Sequence, residues 1–245
     1  LSQKDTARSI SIFITPSGND SVLLLEDSNR KLKLHQIEAQ YYNWVINNEA
    51  GELHLSGHIG QIRYGGGCRD ISSQIPFSSL NLHGGILSHQ LINMCNKKEA
   101  TAQVWQLNND TGGVTTHSIE LSQSNELKIK GWTVIWGNGI IKKAQCYRKR
   151  ELPNETGGII VGYIDHESNI IFLVDIRKAP IDSISTPKSF QRGIQGVSED
   201  ILLIKKRSAH IATYIGEWHS HPDSVLTLLT DDDRKQLKWM HNELS

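Results

Sequence analysis

Tyr214-Ile215-Gly216-Glu217-Trp218-His219-Ser220-His221-Pro222, followed after seven residues by Thr230-Asp231-Asp232-Asp233-Arg234, is the stretch from which the rest of the chain is read. Tyr214, Ile215 and Trp218 carry strand-favouring side chains, so residues 214–221 read as a strand. Pro222, which has no N–H for a ladder, ends it. Side chains alternate along a strand, so His219 and His221 fall on one face with Glu217 behind them. Two imidazoles on one face, then an acidic cluster, offer nitrogen and oxygen donors to a divalent metal. Zinc suits that set best, because three protein ligands leave a fourth position open for water. The competing reading is a half-buried strand whose two histidines hold nothing. His-x-His alone favours that reading, and the Thr-x-x-Asp downstream reverses the balance.

Gly216 to Pro222 with Thr230-x-x-Asp233 resembles the metal signature of the JAMM (JAB/MPN+) metallopeptidases: His-x-His-Pro, about six residues, Ser or Thr, two residues, Asp. Seven residues separate Pro222 from Thr230 here. The other register makes Asp232 the ligand and places Leu229 where the hydroxyl belongs, so Asp233 is preferred and Asp232 stays open. Upstream, Leu152-Pro-Asn-Glu155-Thr-Gly-Gly-Ile-Ile-Val-Gly-Tyr163 resembles the glutamate motif of the same enzymes, a carboxylate two residues ahead of a Gly-Gly that opens an apolar strand. Alone, Glu155 reads as an exposed turn carboxylate. Glu151, Asp165, Glu167 and Glu217 are its rivals as general base, with Glu217 better suited to a role behind the ligands.

The resemblance implies an α/β fold, a JAMM/MPN-type mixed sheet flanked by helices, preceded by a smaller α/β segment. It implies a zinc ion held by His219, His221 and Asp233 with water as fourth ligand, Glu155 as general base, and the Thr230 hydroxyl stabilising the tetrahedral oxyanion. The implied activity is peptide or isopeptide hydrolysis. The implied substrate is the carboxy-terminal tail of a ubiquitin-like modifier, released from a conjugate or a precursor. Conjugating and activating enzymes are the implied partners, and a bacterial ubiquitin-like operon, of a type that includes several with antiphage roles, is the implied context.

Composition fits that picture without requiring it. The 245 residues are 38% hydrophobic and 21% charged, as in ordinary globular chains, and suffice for one large domain or two small ones. Lys+Arg and Asp+Glu both number 26, which gives no basic bias toward nucleic acid or a membrane surface. No apolar run approaches the ~20 residues of a bilayer span, and no signal peptide is visible. Cys68, Cys95 and Cys146 form neither a disulfide framework nor a zinc knuckle, as expected of a cytoplasmic protein. The first residue is Leu1 rather than Met, so a piece of a longer protein is expected.

Residues 1–125 carry a second resemblance. Tyr64-Gly-Gly-Gly-Cys68-Arg69-Asp70 sets an uncrowded thiol beside an arginine that favours the nucleophilic thiolate. A helix over 80–94 follows. This resembles the catalytic-cysteine region of ubiquitin-activating-like adenylating enzymes, where the thiol carries the modifier as a thioester. An inert loop cysteine is the equal alternative. No glycine-rich nucleotide loop occurs, so residues 1–125 correspond at most to the carboxy-terminal part of such an enzyme, with the nucleotide-binding half absent. The first resemblance implies that residues 126–245 are the metallopeptidase domain, and the boundary is expected where composition turns polar at 122–125. Two readings compete with hydrolysis: a non-catalytic MPN scaffold that binds a modifier, and a thioester carrier acting through Cys68.

The remaining elements follow from periodicity. Strands are expected over 10–14, 22–25, 104–107, 114–121, 132–136 and 170–176, with a further one after the Gly-Gly pair. Helices are expected over 36–47, 140–150 and 198–208, the last capped by Ser198. Residues 179–196 read as a long polar connection, and Ser189 to Gly193 resembles a segment of bacterial JAB proteins that could line a substrate groove. His54 and His58 read as surface histidines. Thr230 is expected to cap a last helix over 231–244.

Overall fold

The computed structural model describes residues 7–56, 75–94 and 96–222. In chain order its elements are strands β1 (Ile10–Ile14) and β2 (Asp20–Leu25), helices α1 (Leu34–Asn47) and α2 (Phe77–Met94), and strands β3 (Thr101–Leu107), β4 (Val114–Ser118), β5 (Ser124–Ile129) and β6 (Trp132–Gly137). Helix α3 (Asn138–Glu151) and strands β7 (Thr156–Asp165) and β8 (Ile170–Ile176) follow. The short pair β9 (Ile184–Ser185) and β10 (Phe190–Gln191), helix α4 (Val197–Arg207) and strand β11 (Thr213–Ser220) come next, and a single 3-10 turn, Glu49–Gly51, follows α1.

The first four strands form an antiparallel meander in the order β1-β2-β3-β4. All six residues of β2 are buried, because both faces of the meander are covered. Val22 and Leu24 alternate onto the α1 side and pack with Ile37, Tyr41 and Val45. Leu23 and Leu25 point the other way and join Leu87 and Met94 of α2.

The second sheet has the order β11-β7-β8-β6-β5. It is mixed: β6 and β8 run parallel, with α3 and β7 between them in sequence, and every other pairing is antiparallel. Ile159, Val161 and Val174 from this sheet and Ile204 from α4 enter the same cluster as Val22, Ile37 and Tyr41. Helix α1 is therefore shared between the two sheets, which explains why its buried residues, among them Gln36, Ile37, Ala39, Tyr41, Tyr42, Val45 and Ile46, cover more than one stripe. The architecture is the expected mixed α/β fold, a five-stranded sheet flanked by helices and preceded by a smaller α/β part.

The polar stretch at 122–125 runs into β5, which starts at Ser124 and pairs with β6; its exposed edge position lets polar residues occupy the strand. Two expectations need correction. Helix α4 is not capped by Ser198. Gly196, at φ +76°, takes the N-cap position and Ser198 lies within the first turn. His54 is not a surface residue. It is 1% exposed, with Nδ1 2.6 Å from Asp20 Oδ2 and Nε2 2.8 Å from the Tyr41 hydroxyl. The readings of His58, Cys68 and Cys95 fall outside the described residues.

Candidate metal and catalytic site

Glu155 and the two histidines meet where β7 begins and β11 ends. The two strands are antiparallel neighbours, with His219 opposite Gly157 and Ser220 opposite Thr156. The Gly-Gly pair is what allows this approach. A Cβ at Gly157 would collide with the Trp218 carbonyl oxygen and the Phe190 ring, and one at Gly158 with the Arg177 carbonyl oxygen. Glu155, one residue before β7, is 5% exposed rather than an open turn carboxylate. Its N–H donates to Thr186 O at 2.9 Å, which ties it to the β9–β10 hairpin.

Glu155 Oε1 lies 3.1 Å from His221 Nδ1. A carboxylate only accepts, so in a neutral ring this contact places the proton on Nδ1 and leaves the Nε2 lone pair facing away from Glu155. That Nε2 lies 3.2 Å from His219 Nε2, with the rings 4.9 Å apart and inclined at 73°. Two nitrogens each ~2.0–2.1 Å from a tetrahedral zinc would be separated by about 3.3–3.4 Å. The pair therefore fits two adjacent ligand positions of such an ion, and the Glu155 contact fixes the tautomer a ligand requires. Among the described residues no group of three or more histidines, cysteines, aspartates or glutamates is arranged to hold a metal ion. Asp233, its alternative Asp232, and Thr230 lie outside those residues.

The rival carboxylates are placed elsewhere. Asp165 closes the far end of β7, whose ten residues span roughly 30 Å, and its Oδ1 accepts the N–H groups of Glu167 and Ser168. Glu217 accepts from Arg192 Nε at 2.8 Å and from the Tyr214 hydroxyl at 3.4 Å, so it holds the loop after β10 rather than either histidine. Glu151 is the last residue of α3 and is exposed.

Some of the surroundings had no signal in the sequence. Trp218 stacks on Tyr147 of α3 at 6.0 Å and 22°, and its Nε1–H donates to Arg177 O at 2.9 Å. Arg148 Nε donates to His221 O at 2.8 Å. Arg148, Lys149 and Arg150 in the last turn of α3 also complement the helix dipole. A cleft of about 630 Å³ opens elsewhere, between α1, β6 and the start of α3. The amides of Gln40, Asn43 and Asn47 that line it are engaged with Ser122, the Val174 carbonyl and Asp175, so they serve packing.

Known proteins resemble this chain in the same region. The family described as prokaryotic homologs of the JAB domain matches residues 141–228, from α3 through the His-x-His strand. A CD-NTase/cGAS isopeptidase of Enterobacter hormaechei subsp. hoffmannii (strain UCI 50) is 38% identical over 125 residues, 47% of this chain and 68% of that protein. The chain belongs to the prokaryotic JAB family. A probable metalloprotease, y4qB, of Sinorhizobium fredii (strain NBRC 101917 / NGR234) is 31% identical over 84 residues, 34% of this chain and 51% of that protein. The JAB match begins inside α3, so the helix that contacts Trp218 and His221 is part of the family's domain. Among the described residues no helix is long and apolar enough to cross a membrane.

Proposed function

We propose that the JAB domain, residues 126–245, is a zinc-dependent peptidase or isopeptidase that cleaves after the carboxy-terminal tail of a ubiquitin-like modifier. The 3.2 Å approach of His219 Nε2 and His221 Nε2, with Glu155 against the second ring, carries this reading. His219, His221 and Asp233, or Asp232 in the alternative register, would hold the ion. Bound there, zinc supplies Lewis acidity toward the scissile carbonyl and lowers the pKa of coordinated water toward neutrality. Glu155 takes the proton from the attacking water and passes it to the departing amine. Its burial keeps the carboxylate in a fixed place, and the tie to Thr186 keeps the hairpin beside it. The Thr230 hydroxyl would donate to the oxyanion.

The isopeptidase name of the Enterobacter relative supports an isopeptide bond as substrate, and the proposed setting is a bacterial antiphage pathway in the cytoplasm. Residues 1–125 are read as the carboxy-terminal part of an activating-enzyme-like domain, with Cys68 as its thioester site and conjugating and activating enzymes as partners.

Bound zinc per chain, measured beside cleavage of a ubiquitin-like fusion with and without chelator, tests the proposal. Near one zinc per chain is expected in the wild type. His221→Ala is expected to lose both zinc and cleavage, and Cys68→Ser to keep hydrolysis unchanged. Wild-type protein that takes up no zinc would overturn the catalytic reading.

A further inference from the structure

The ladder between β7 and β11 ends with the pair Thr156–Ser220, yet the second histidine is residue 221. A main-chain carbonyl beyond the end of a ladder must find its donor elsewhere. Helix α3 supplies it: Arg148 Nε–H donates to His221 O at 2.8 Å, a charge-assisted bond from a rigid guanidinium. The preceding residue, Tyr147, stacks on Trp218. Two successive residues near the end of α3 thus hold the chain on both sides of His219, one through the Trp218 ring and one through the main chain of His221.

Among the described contacts, Arg148 holds the carbonyl of His221 and Glu155 its Nδ1. His219 needs no such support, because it lies inside the ladder opposite Gly157. The imidazole Nε2 stands well away from the main chain, so a tilt of about 15° at Cα would displace it by roughly 1 Å, beyond the ~0.5 Å that a functional constellation tolerates.

We infer that Arg148 is a positioning residue for the histidine pair, holding the main chain past the end of β11 so that His221 Nε2 stays directed at His219 Nε2. This rests on the reading of the two histidines as metal ligands. Arg148 touches neither the ion nor the substrate in this role. Its effect is to present a ligand already aimed, so that binding does not have to order the chain after β11.

The test is titration of the metal-free full chain with cobalt(II), followed by its visible absorption and by competition with zinc. Wild type is expected to show the intense bands of a tetrahedral site, and His221→Ala to lose them. Arg148→Met, which keeps the aliphatic stem without the donor, is expected to bind cobalt about 10–100-fold more weakly with displaced bands, the usual cost of losing an outer-sphere partner. Arg148→Lys, which restores a cationic donor, is expected to recover part of the loss. Arg148→Met with wild-type affinity and spectrum would overturn the positioning role while leaving the metal centre intact. Wild type without tetrahedral bands would overturn the metal centre and this inference together. If Arg148→Met does not fold, Arg148→Gln, with its shorter neutral arm, is read by the same two outcomes.

Discussion

Glu155 has two tasks that draw on one carboxylate. Oε1 accepts the Nδ1–H of His221 at 3.1 Å, which orients the ring proposed as a ligand; the proposed reaction asks the same side chain to accept a proton from water. Glu155→Gln separates the tasks. The amide oxygen can still accept from Nδ1–H, so zinc content is expected to stay close to the wild-type level. The amide cannot take up a proton, so turnover is expected to fall about 10²–10⁴-fold. Metal content and turnover measured on one preparation decide the matter. Zinc lost in step with activity would show that orientation of His221, rather than proton transfer, is the larger contribution of this residue.

At the scale of elements, β7 is the scaffold of the site, and its glycines are a packing requirement. Gly158 sits opposite Trp218, and a Cβ there would meet the Arg177 carbonyl, a main-chain atom that cannot rotate aside. Gly158→Ala is expected to cost about 1–3 kcal/mol, as overpacking does, and to weaken zinc binding by moving β11 relative to Glu155. A thermal melt beside a zinc titration checks both, and an unchanged melting temperature would show that the exit of β8 yields freely. The same strands show what a sequence can disclose. Residues 10–14 and 170–176 read as strands and are strands to the residue, because each is a short apolar run bounded by turns. The Gly-Gly pair and His-x-His were legible because their meaning is local. The four partly or fully exposed residues Glu126 to Ile129 of β5 gave no comparable signal, since an edge strand can carry charge on its open side. His54 was misread because its partners, Tyr41 and Asp20, lie 13 and 34 residues away. Arg148 and His221 are 73 residues apart, and nothing in either sequence neighbourhood announces their contact. The expectations for Thr230, Asp232 and Asp233 fall outside the described residues.

In the molecule as a whole, α1 joins what composition divides. Its apolar residues share one cluster with β2 and β3 on one side and with β7, β8 and α4 on the other. A buried charge strengthens that junction. Asp175 of β8, with a side chain 2% exposed, accepts from Lys143 of α3 at 2.7 Å, from Arg177 at 2.7 Å and from Asn47 of α1 at 3.0 Å. Arg177 in turn reaches Asp200 of α4 at 3.1 Å. One carboxylate thus gathers three elements on both sides of residue 125. Removing one member of a buried ion network costs about 3–5 kcal/mol. Lys143 and Arg177 are 31% and 21% exposed, so water takes up part of their charge, and about 2–3 kcal/mol is the better expectation for Asp175→Ala. For a chain of this length that lowers the melting temperature by about 4–12 °C. Because the apolar cluster crosses the junction, calorimetry is expected to show one transition in wild type and one, at lower temperature, in Asp175→Ala. Two resolved transitions, with only the later one moved, would mean that the four-stranded meander melts on its own and that α1 leaves with it.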